Sequence, residues 1–243
     1  MNSQPIAWIR SDDPPEAFPD VEFACAVPDG LLAAGGDLSP ERLLYAYRHG
    51  IFPWFNEDQP ILWWSPDPRC VLLPTALRLS KRTRRSLKKT DFRIRINTAF
   101  DEVVACCAAP RNDQDGTWIT EDMAAAYRKL HEQGWAHSIE VWSAGTLVGG
   151  LYGLFIGKVF FGESMFSRKS NASKAAMLAL CNMLQENNVH FLDCQVESPH
   201  LMRLGASLIS RPQFSSALHI ACDSCSPFAN WPSEALKISD LLD

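Results

Sequence analysis

The sequence predicts an α/β (α+β) protein with a mixed sheet: a small N-terminal domain (residues 1–67) followed by a larger domain (residues 68–243). Two observations predict this class. Three runs between residues 137 and 166 have the pattern of antiparallel strands, and an amphipathic helix and another strand follow them. A proline-rich junction over residues 65–69 (SPDPR) separates this β-β-β-α-β unit from the residues before it.

The N-terminal part contains one strong helix signal. Residues 1–30 carry several prolines and acids with little periodicity, and we expect them to be irregular. Ser39 is a good N-cap and Pro40 suits the first helical position, so a helix should run from there to Gly50.

The larger domain is predicted to alternate helices and strands. Either Asn97 or Thr98 is expected to cap a helix that follows it, and Thr120 to cap a helix that stops at Gly134. The other predicted elements, in chain order, are a helix at the start of residues 81–95 with a strand at 92–96, strands at 137–142, 147–156 and 159–166, a helix over Ala172–Glu186, a strand at 190–196 and a short helix at 201–206.

Charge is unevenly distributed along the chain. The 243 residues have a net charge of −5, yet the fifteen-residue segment Lys81–Arg95 carries a net charge of +7. The remaining 228 residues therefore have a net charge of −12. Such a segment is either a solvated helix face or a binding site for a polyanion such as a nucleic acid.

The composition is that of a globular protein that does not enter a membrane. Hydrophobic residues make up 47% of the chain, and no unbroken apolar run reaches the ~18 residues that a membrane span needs. The N-terminus lacks a secretory signal, so the eight cysteines are expected to be reduced and mostly buried, in the cytoplasm.

Three polar residues lie in apolar strand sequences. In the strand FLDCQV, alternation places Asp193 and Gln195 on one face. They are either a satisfied polar pair at a sheet edge or part of a site. Glu163, within FFGESMF, either pairs with an internal cation or faces a ligand cleft.

No cofactor is expected. The chain has no Walker A loop and no GxGxxG, which leaves ATP and dinucleotides without a recognisable site. His219, Cys222 and Cys225 are spaced like metal ligands, but a fourth ligand is not evident. Trp54 and Trp118 could line a pocket or anchor loops.

Several motifs occur together in one order: LLAAGGDLSPERLLYAYRHGIFPWF, ILWWSPDPR, GTWIT, LVGGLYG, FFGESMFS, NASK and LDCQV. In this order they resemble the leucyl/phenylalanyl-tRNA–protein transferase family, from about Leu31 to Gly205. The resemblance implies a C-terminal domain with a GNAT-like acyltransferase fold. It also implies transfer of Leu or Phe, and also Met, from aminoacyl-tRNA to the N-terminal Arg or Lys of acceptor proteins, which marks them for N-end-rule degradation.

The resemblance also implies site residues. Asp193 and Gln195 match the family's catalytic pair, and Glu163 matches a residue placed for the acceptor. The segment that matches the tRNA-binding region contains Lys81, Arg82, Arg84, Arg85, Lys88 and Lys89. The pocket for the Leu or Phe side chain corresponds to Trp54, Trp118, Leu151, Phe160, Met165, Met177, Leu180 and Leu184.

These residue types suit aminoacyl transfer from an already activated ester. The attacking α-amine has a pKa of about 8, so much of the rate can come from positioning. We expect Asp193 to orient Gln195, whose carbonyl accepts a hydrogen bond from the amine, and Glu163 to pair with the cationic acceptor. Trp118 and Met165 are the candidates for excluding β-branched donors near Cβ.

The sequence departs from the family pattern at Ser198, where an Asn is common. Two other functions compete with aminoacyl transfer. An acetyl-CoA-dependent acetyltransferase would need a glycine-rich pyrophosphate turn, and residues 168–173 contain no glycine. A non-enzymatic RNA-binding module would leave Glu163, Asp193 and Gln195 without a role.

Overall fold

The computed structural model describes residues 6–110, 119–222, 228, 231–232 and 234–242. A small sheet forms from four strands between residues 7 and 64: β1 (Ala7–Ile9), β2 (Leu31–Gly35), β3 (Phe52–Pro53) and β4 (Leu62–Trp64). Its strand order is β1-β2-β4-β3, and β1 pairs parallel with β2. The prediction that residues 1–30 are irregular is therefore wrong for Ala7–Ile9, because this short strand is specified by pairing with a distant strand.

The large sheet has eight described strands: β5 (Arg69–Leu72), β6 (Arg93–Ile96), β7 (Ala136–Ser143), β8 (Thr146–Ile156), β9 (Val159–Ser167), β10 (Phe191–Gln195), β11 (Ser207–Ile209) and β12 (Leu236–Lys237). Their order is β11-β5-β10-β9-β8-β7-β6-β12. The β9–β10 pair is parallel, whereas the pairs between β6, β7, β8 and β9 are antiparallel. The predicted α/β class with a mixed sheet is confirmed.

Seven α-helices are described: α1 (Pro40–Arg48), α2 (Lys81–Leu87), α3 (Phe100–Ala108), α4 (Glu121–Glu132), α5 (Ala172–Glu186), α6 (Pro199–Leu204) and α7 (Arg211–Ala221). Ser39 caps α1 and Thr120 caps α4, as predicted. Ser198 caps α6, because its hydroxyl accepts a hydrogen bond from the Leu201 N–H. At this departure from the family pattern, the serine side chain therefore acts as a helix cap.

The predicted cap of α3 is wrong. The N-cap is Ala99, which has no capping side chain. The buried carboxylate of Glu140, on β7, instead accepts hydrogen bonds from the backbone N–H groups of Thr98 and Ala99, at 2.8 and 2.7 Å. An anion at a helix N-terminus satisfies free N–H groups and complements the helix dipole. Here that anion comes from a distant strand.

Helices cover both faces of the large sheet. Helix α5 packs on one face against β7, β8 and β9. Helices α3 and α4 pack on the other face, where they share a core with α1 and the small sheet. Gly149 on β8 fixes the start of α5, because a Cβ there would lie 2.5 Å from the Cβ of Ala172.

A buried ion pair links β5 and β10, which are neighbouring strands of the large sheet. Arg69 begins β5, and its Nε and Nη2 donate to the Asp193 carboxylate on β10 at 2.9 and 2.7 Å. Both side chains are at most 1% exposed. The Arg69 guanidinium also donates to the carbonyl of Gly50 and lies between the rings of Phe52 and Phe214.

Removing one charge of this pair should destabilise the fold strongly. Arg69→Met leaves the Asp193 carboxylate buried and unpaired, which typically costs about 3–5 kcal/mol of unfolding free energy. The double variant Arg69→Met/Asp193→Asn removes both charges and should recover part of that loss. Urea denaturation measures both, with Asp12→Asn in the exposed Arg10–Asp12 pair as the control. An Arg69→Met protein as stable as wild type would contradict the structural role of the pair.

Candidate active site

The candidate site lies where β9 and β10 separate. The two strands pair in parallel from Val159–Phe161 to Phe191–Asp193, and the register ends there. Glu163 and Gln195 follow the last pair, and Gln195 Nε2 donates to Glu163 Oε1 at 2.9 Å. The side chains that sequence analysis singled out on separate strands are therefore in direct contact.

Gln195 has an unusual backbone conformation. The pairing of β10 with β5 shifts register between Asp193 and Gln195, and Gln195 has φ +63°. The backbone N–H of Gln195 donates to Asp193 Oδ1 at 2.9 Å, which stabilises this turn of the chain. Strand alternation therefore breaks at this point. Strand β10 also lies inside the sheet, so the prediction of a pair at a sheet edge is wrong.

Glu163 is held by two tyrosine hydroxyls as well as by Gln195. Tyr47 on α1 donates to Oε1 at 2.7 Å, and Tyr127 on α4 donates to Oε2 at 2.6 Å. The two hydroxyls also lie 2.6 Å from each other. Burial raises the pKa of both tyrosines well above the usual value of 10, so both are protonated donors at neutral pH.

The carboxyl group of Glu163 titrates near neutrality. Burial raises its pKa to about 7 from an ordinary value of 4.5, and the charge of Asp193 adds to the rise. The three hydrogen bonds that it accepts from Tyr127, Tyr47 and Gln195 offset part of that shift. No described cation pairs with Glu163, so it is a group that can take up and release a proton near pH 7.

Asp193 is placed differently from Glu163. It is fully buried, and its carboxylate is occupied by Arg69 and by the Gln195 N–H. The interpretation of Asp193 as a satisfied buried group therefore agrees with its contacts. Asp193 contacts Gln195 by accepting a hydrogen bond from its backbone N–H, so it affects the site through the backbone.

An apolar cavity adjoins Glu163, with a volume of about 90 Å³. Five of the residues predicted for an apolar pocket line it together: Leu151, Phe160, Met165, Met177 and Leu180. The lining also contains residues that the sequence did not single out for the pocket: Tyr152, Gly162, Ser164, Leu192, Cys194 and Leu201.

The other three predicted pocket residues are not in this lining. Leu184 is 1% exposed and packs in the core between α5 and the large sheet. Trp54 is 44% exposed and its ring contacts that of Trp64, 5.8 Å away between centroids. Trp118 lies outside the described residues.

The basic segment is a helix followed by a strand, as predicted. On and just after α2, the side chains of Lys81, Arg82, Arg84, Arg85, Lys88 and Lys89 are all exposed. Helix α2 also contacts the start of α5, because Asn171 Nδ2 donates to Ser86 Oγ at 3.3 Å.

Sequence reasoning missed Tyr47, Tyr127 and Arg69 as parts of the site. Arg69 could have been recognised from the sequence. A buried aspartate on an apolar strand needs a cation, and Arg69 ends the WWSPDPR motif at the start of an apolar run. The two tyrosines could not have been recognised, since each occupies a regular position on the apolar face of its helix.

Two further observations bear on what the chain binds. In the described residues, no group of three His, Cys, Asp or Glu side chains is arranged to hold a metal ion, and Cys225 lies outside those residues. Helices long and apolar enough to cross a bilayer are likewise absent from the part of the chain that the structure describes.

Comparison with known proteins identifies the chain as an aminoacyltransferase. A family model described as leucyl/phenylalanyl-tRNA protein transferase matches residues 71–219, and the model of that family's N-terminal domain matches residues 36–67. The chain belongs to the leucyl/phenylalanyl-tRNA protein transferase family.

Relatives of that name match most of the chain. The protein from Nitrosomonas europaea is 56% identical over 214 residues, which cover 88% of this chain and 89% of the relative. The protein from Aromatoleum aromaticum is 54% identical over 231 residues, which cover 94% and 91%. Among solved structures, L-PGS from Bacillus licheniformis is 9% identical with a TM-score of 0.41 and covers 79% of this chain and 73% of its own.

The raised pKa of Glu163 should make stability depend on pH. The folded protein binds this proton more tightly than the unfolded chain, so the protonated carboxyl favours folding below the unfolded pKa of about 4.5. That contribution is lost as pH rises through about 7. Relative to Glu163→Gln, wild type should therefore lose stability between pH 5 and pH 8. Urea midpoints at both values test this, with exposed Glu132→Gln as the control, and a pH-independent difference would contradict the assignment.

Proposed function

We propose that this protein transfers Leu or Phe, and also Met, from aminoacyl-tRNA to the N-terminal Arg or Lys of acceptor proteins in the cytoplasm. The product would carry an N-terminus that marks it for N-end-rule degradation. One observation carries the proposal: a protonatable Glu163 bonded to Gln195 stands beside an apolar cavity. The names of the relatives agree with this chemistry.

The cavity suits the side chain of an apolar donor amino acid. Its lining is mostly Leu, Met and Phe residues, and the polar residues Glu163 and Ser164 also belong to it. A Leu or Phe side chain in the cavity would bring its ester carbonyl next to the Glu163–Gln195 pair. Discrimination against β-branched donors would then depend on shape, since one methylene is worth only ~1–3 kcal/mol in an apolar pocket.

The transfer step needs a proton acceptor near the attacking amine. The amine nitrogen forms the new amide bond at the ester carbon, and the bond from that carbon to the 3′-terminal ribose oxygen breaks. With a pKa of about 7, the Glu163 carboxylate can take the proton from the amine and return it to the departing ribose oxygen. An amide is a far weaker base, so we assign Gln195 to orientation.

Gln195 is suited to hold the amine. Its Nε2 is already engaged with Glu163, which leaves the side-chain carbonyl to accept a hydrogen bond from the acceptor amine. We assign Asp193 a positioning role, because it acts on Gln195 through the backbone N–H and is itself neutralised by Arg69. The sequence-derived roles of Asp193 and Gln195 are kept in this form. Glu163, which the sequence predicted to pair with the cationic acceptor, is assigned proton transfer instead because its pKa is about 7.

Mass spectrometry of an acceptor peptide tests the activity directly. A peptide that begins with Arg is incubated with the full-length protein and Leu-tRNA, and a peptide that begins with Asp is the matched control. A mass gain of one Leu residue on the first peptide alone supports the reaction and the acceptor rule. Absence of any gain on the Arg peptide would contradict the proposed function.

Changes in the polar pair should lower turnover. Glu163→Gln removes the proton acceptor and should lower kcat by about 100-fold or more, with loss of the rise in rate through pH 7. Gln195→Ala should lower kcat/KM by at least about tenfold through lost orientation. Steady-state kinetics with the Arg peptide measure both, and Glu132→Gln on the exposed side of α4 is the control. Values of kcat/KM within about twofold of wild type in both variants would contradict these roles.

Changes in the cavity should alter donor preference. Met177 is buried in the cavity wall, and Met177→Phe should leave less room for a bulky donor. The ratio of kcat/KM for Leu-tRNA over Phe-tRNA should rise by about tenfold, as expected for a change in volume of about one methylene or more. Leu184→Met is the matched control, because Leu184 is buried on the same helix outside the cavity lining. An unchanged ratio in a folded Met177→Phe protein would contradict the pocket assignment.

A further inference from the structure

A second group of cationic side chains lies between α5 and α6, outside the basic segment. It consists of Lys174 in the first turn of α5, His200 in the first turn of α6 and Arg203 in the last turn of α6. Burial, and then the charges of Lys174 and Arg203, lower the pKa of His200, so the imidazole is neutral at pH 7. The three side chains are therefore electrostatic neighbours, and we call them the α5–α6 cluster.

The cluster lies close to residues that line the apolar cavity, on both α5 and α6. Lys174 precedes Met177 by three residues, which places both on one face of α5 and separates them by about 4.5 Å along the helix axis. His200 is next to Leu201 in sequence, and both Met177 and Leu201 line the cavity. The cluster is therefore next to the cavity wall on both helices.

The cluster is also continuous with the basic segment. Asn171, immediately before α5, bonds to Ser86 on α2. From Ala172, the first residue of α5, to Met177 the helix rises about 7.5 Å, so the contact with α2 and the cavity wall are less than two helical turns apart. The basic segment and the first turn of α5, which carries Lys174, are therefore neighbours in the fold.

The charges of the cluster are not neutralised within the described part of the protein. Neither Lys174 nor Arg203 forms an ion pair with a described carboxylate. Arg203 is exposed and Lys174 is partly exposed. The acceptor cannot be their ligand at this position, because an N-terminal Arg or Lys is itself cationic and would be repelled.

We propose that the α5–α6 cluster binds the phosphates of the single-stranded 3′ end of the donor RNA, while the esterified amino acid enters the cavity. This inference rests on the proposed function. It divides RNA binding between two surfaces: α2 holds the body of the RNA, and Lys174 and Arg203, with His200 as a neutral donor, hold the last phosphates. Phosphate contacts of this kind position the strand without reading its sequence.

Three donors of increasing length separate the two surfaces. They are the Leu ester of adenosine, which has no phosphate, the Leu ester of the trinucleotide CCA, and Leu-tRNA, each assayed with the Arg peptide. The double variant Lys174→Ala/Arg203→Ala should raise KM about tenfold for the CCA ester and for Leu-tRNA and leave the adenosine ester within twofold. Arg84→Ala/Arg85→Ala should raise KM for Leu-tRNA alone. Lys129→Ala, which removes an exposed charge from α4, is the control.

The outcomes separate failure of the inference from failure of the proposed function. An unchanged KM for the CCA ester in the double variant, or an equal rise for the adenosine ester, would overturn the inference while transfer by wild type still supports the function. If wild type transfers nothing from any donor, the proposed function fails. The Kd of the unacylated CCA trinucleotide then tests the role of the cluster. Binding that is tenfold weaker in the double variant than in wild type supports the inference. An equal Kd in the two proteins, or no measurable binding to wild type, overturns it.

Discussion

The candidate site depends on the buried ion pair between Arg69 and Asp193. Placing two charges in the interior carries a large desolvation cost, which their mutual attraction offsets only when the geometry is good and the remaining polar atoms are paired. Both conditions are met, because Arg69 makes two bonds to Asp193 and one to the Gly50 carbonyl, while Asp193 also accepts from Gln195. Two flanking phenylalanine rings add favourable cation–π contacts.

This pair explains how Gln195 keeps its conformation. A non-glycine residue at φ +63° is strained by about 1–2 kcal/mol, and it persists only where its surroundings fix it. The Asp193 carboxylate fixes the backbone N–H of Gln195, and Arg69 fixes that carboxylate. The result is that the Gln195 side chain leaves the regular direction of β10 and meets Glu163 across the gap between two strands. The buried ion pair therefore stabilises the strained backbone of Gln195 through the Asp193 carboxylate.

Local patterns predicted most of the large sheet and its helices. Alternation identified β7, β8 and β9, and capping residues placed the starts of α1 and α4, because these signals act within a few residues. The strand β1 and the cap of α3 were mispredicted, since β1 depends on pairing with β2 and the cap on Glu140, about forty residues away. In the site, Glu163 and Gln195 stood out as polar residues in apolar strands. Tyr47 and Tyr127 could not be recognised, because a buried tyrosine on an amphipathic helix looks like ordinary core.

The contacts of Arg69 also determine when the site can be completed during synthesis of the chain. Its contacts come from residues far apart in the chain: Gly50 and Phe52 before it, Asp193 on a central strand, and Phe214 on α7. Contacts between residues so distant in sequence are slow to form, because the entropy of closing long loops opposes them. A nascent chain on the ribosome therefore cannot complete this arrangement until α7 has emerged. Chains that end before Asp193 would hold the uncompensated charge of Arg69, and chains that end before α7 would lack the Phe214 ring beside it. The geometry of the site is therefore completed only in the nearly full-length protein.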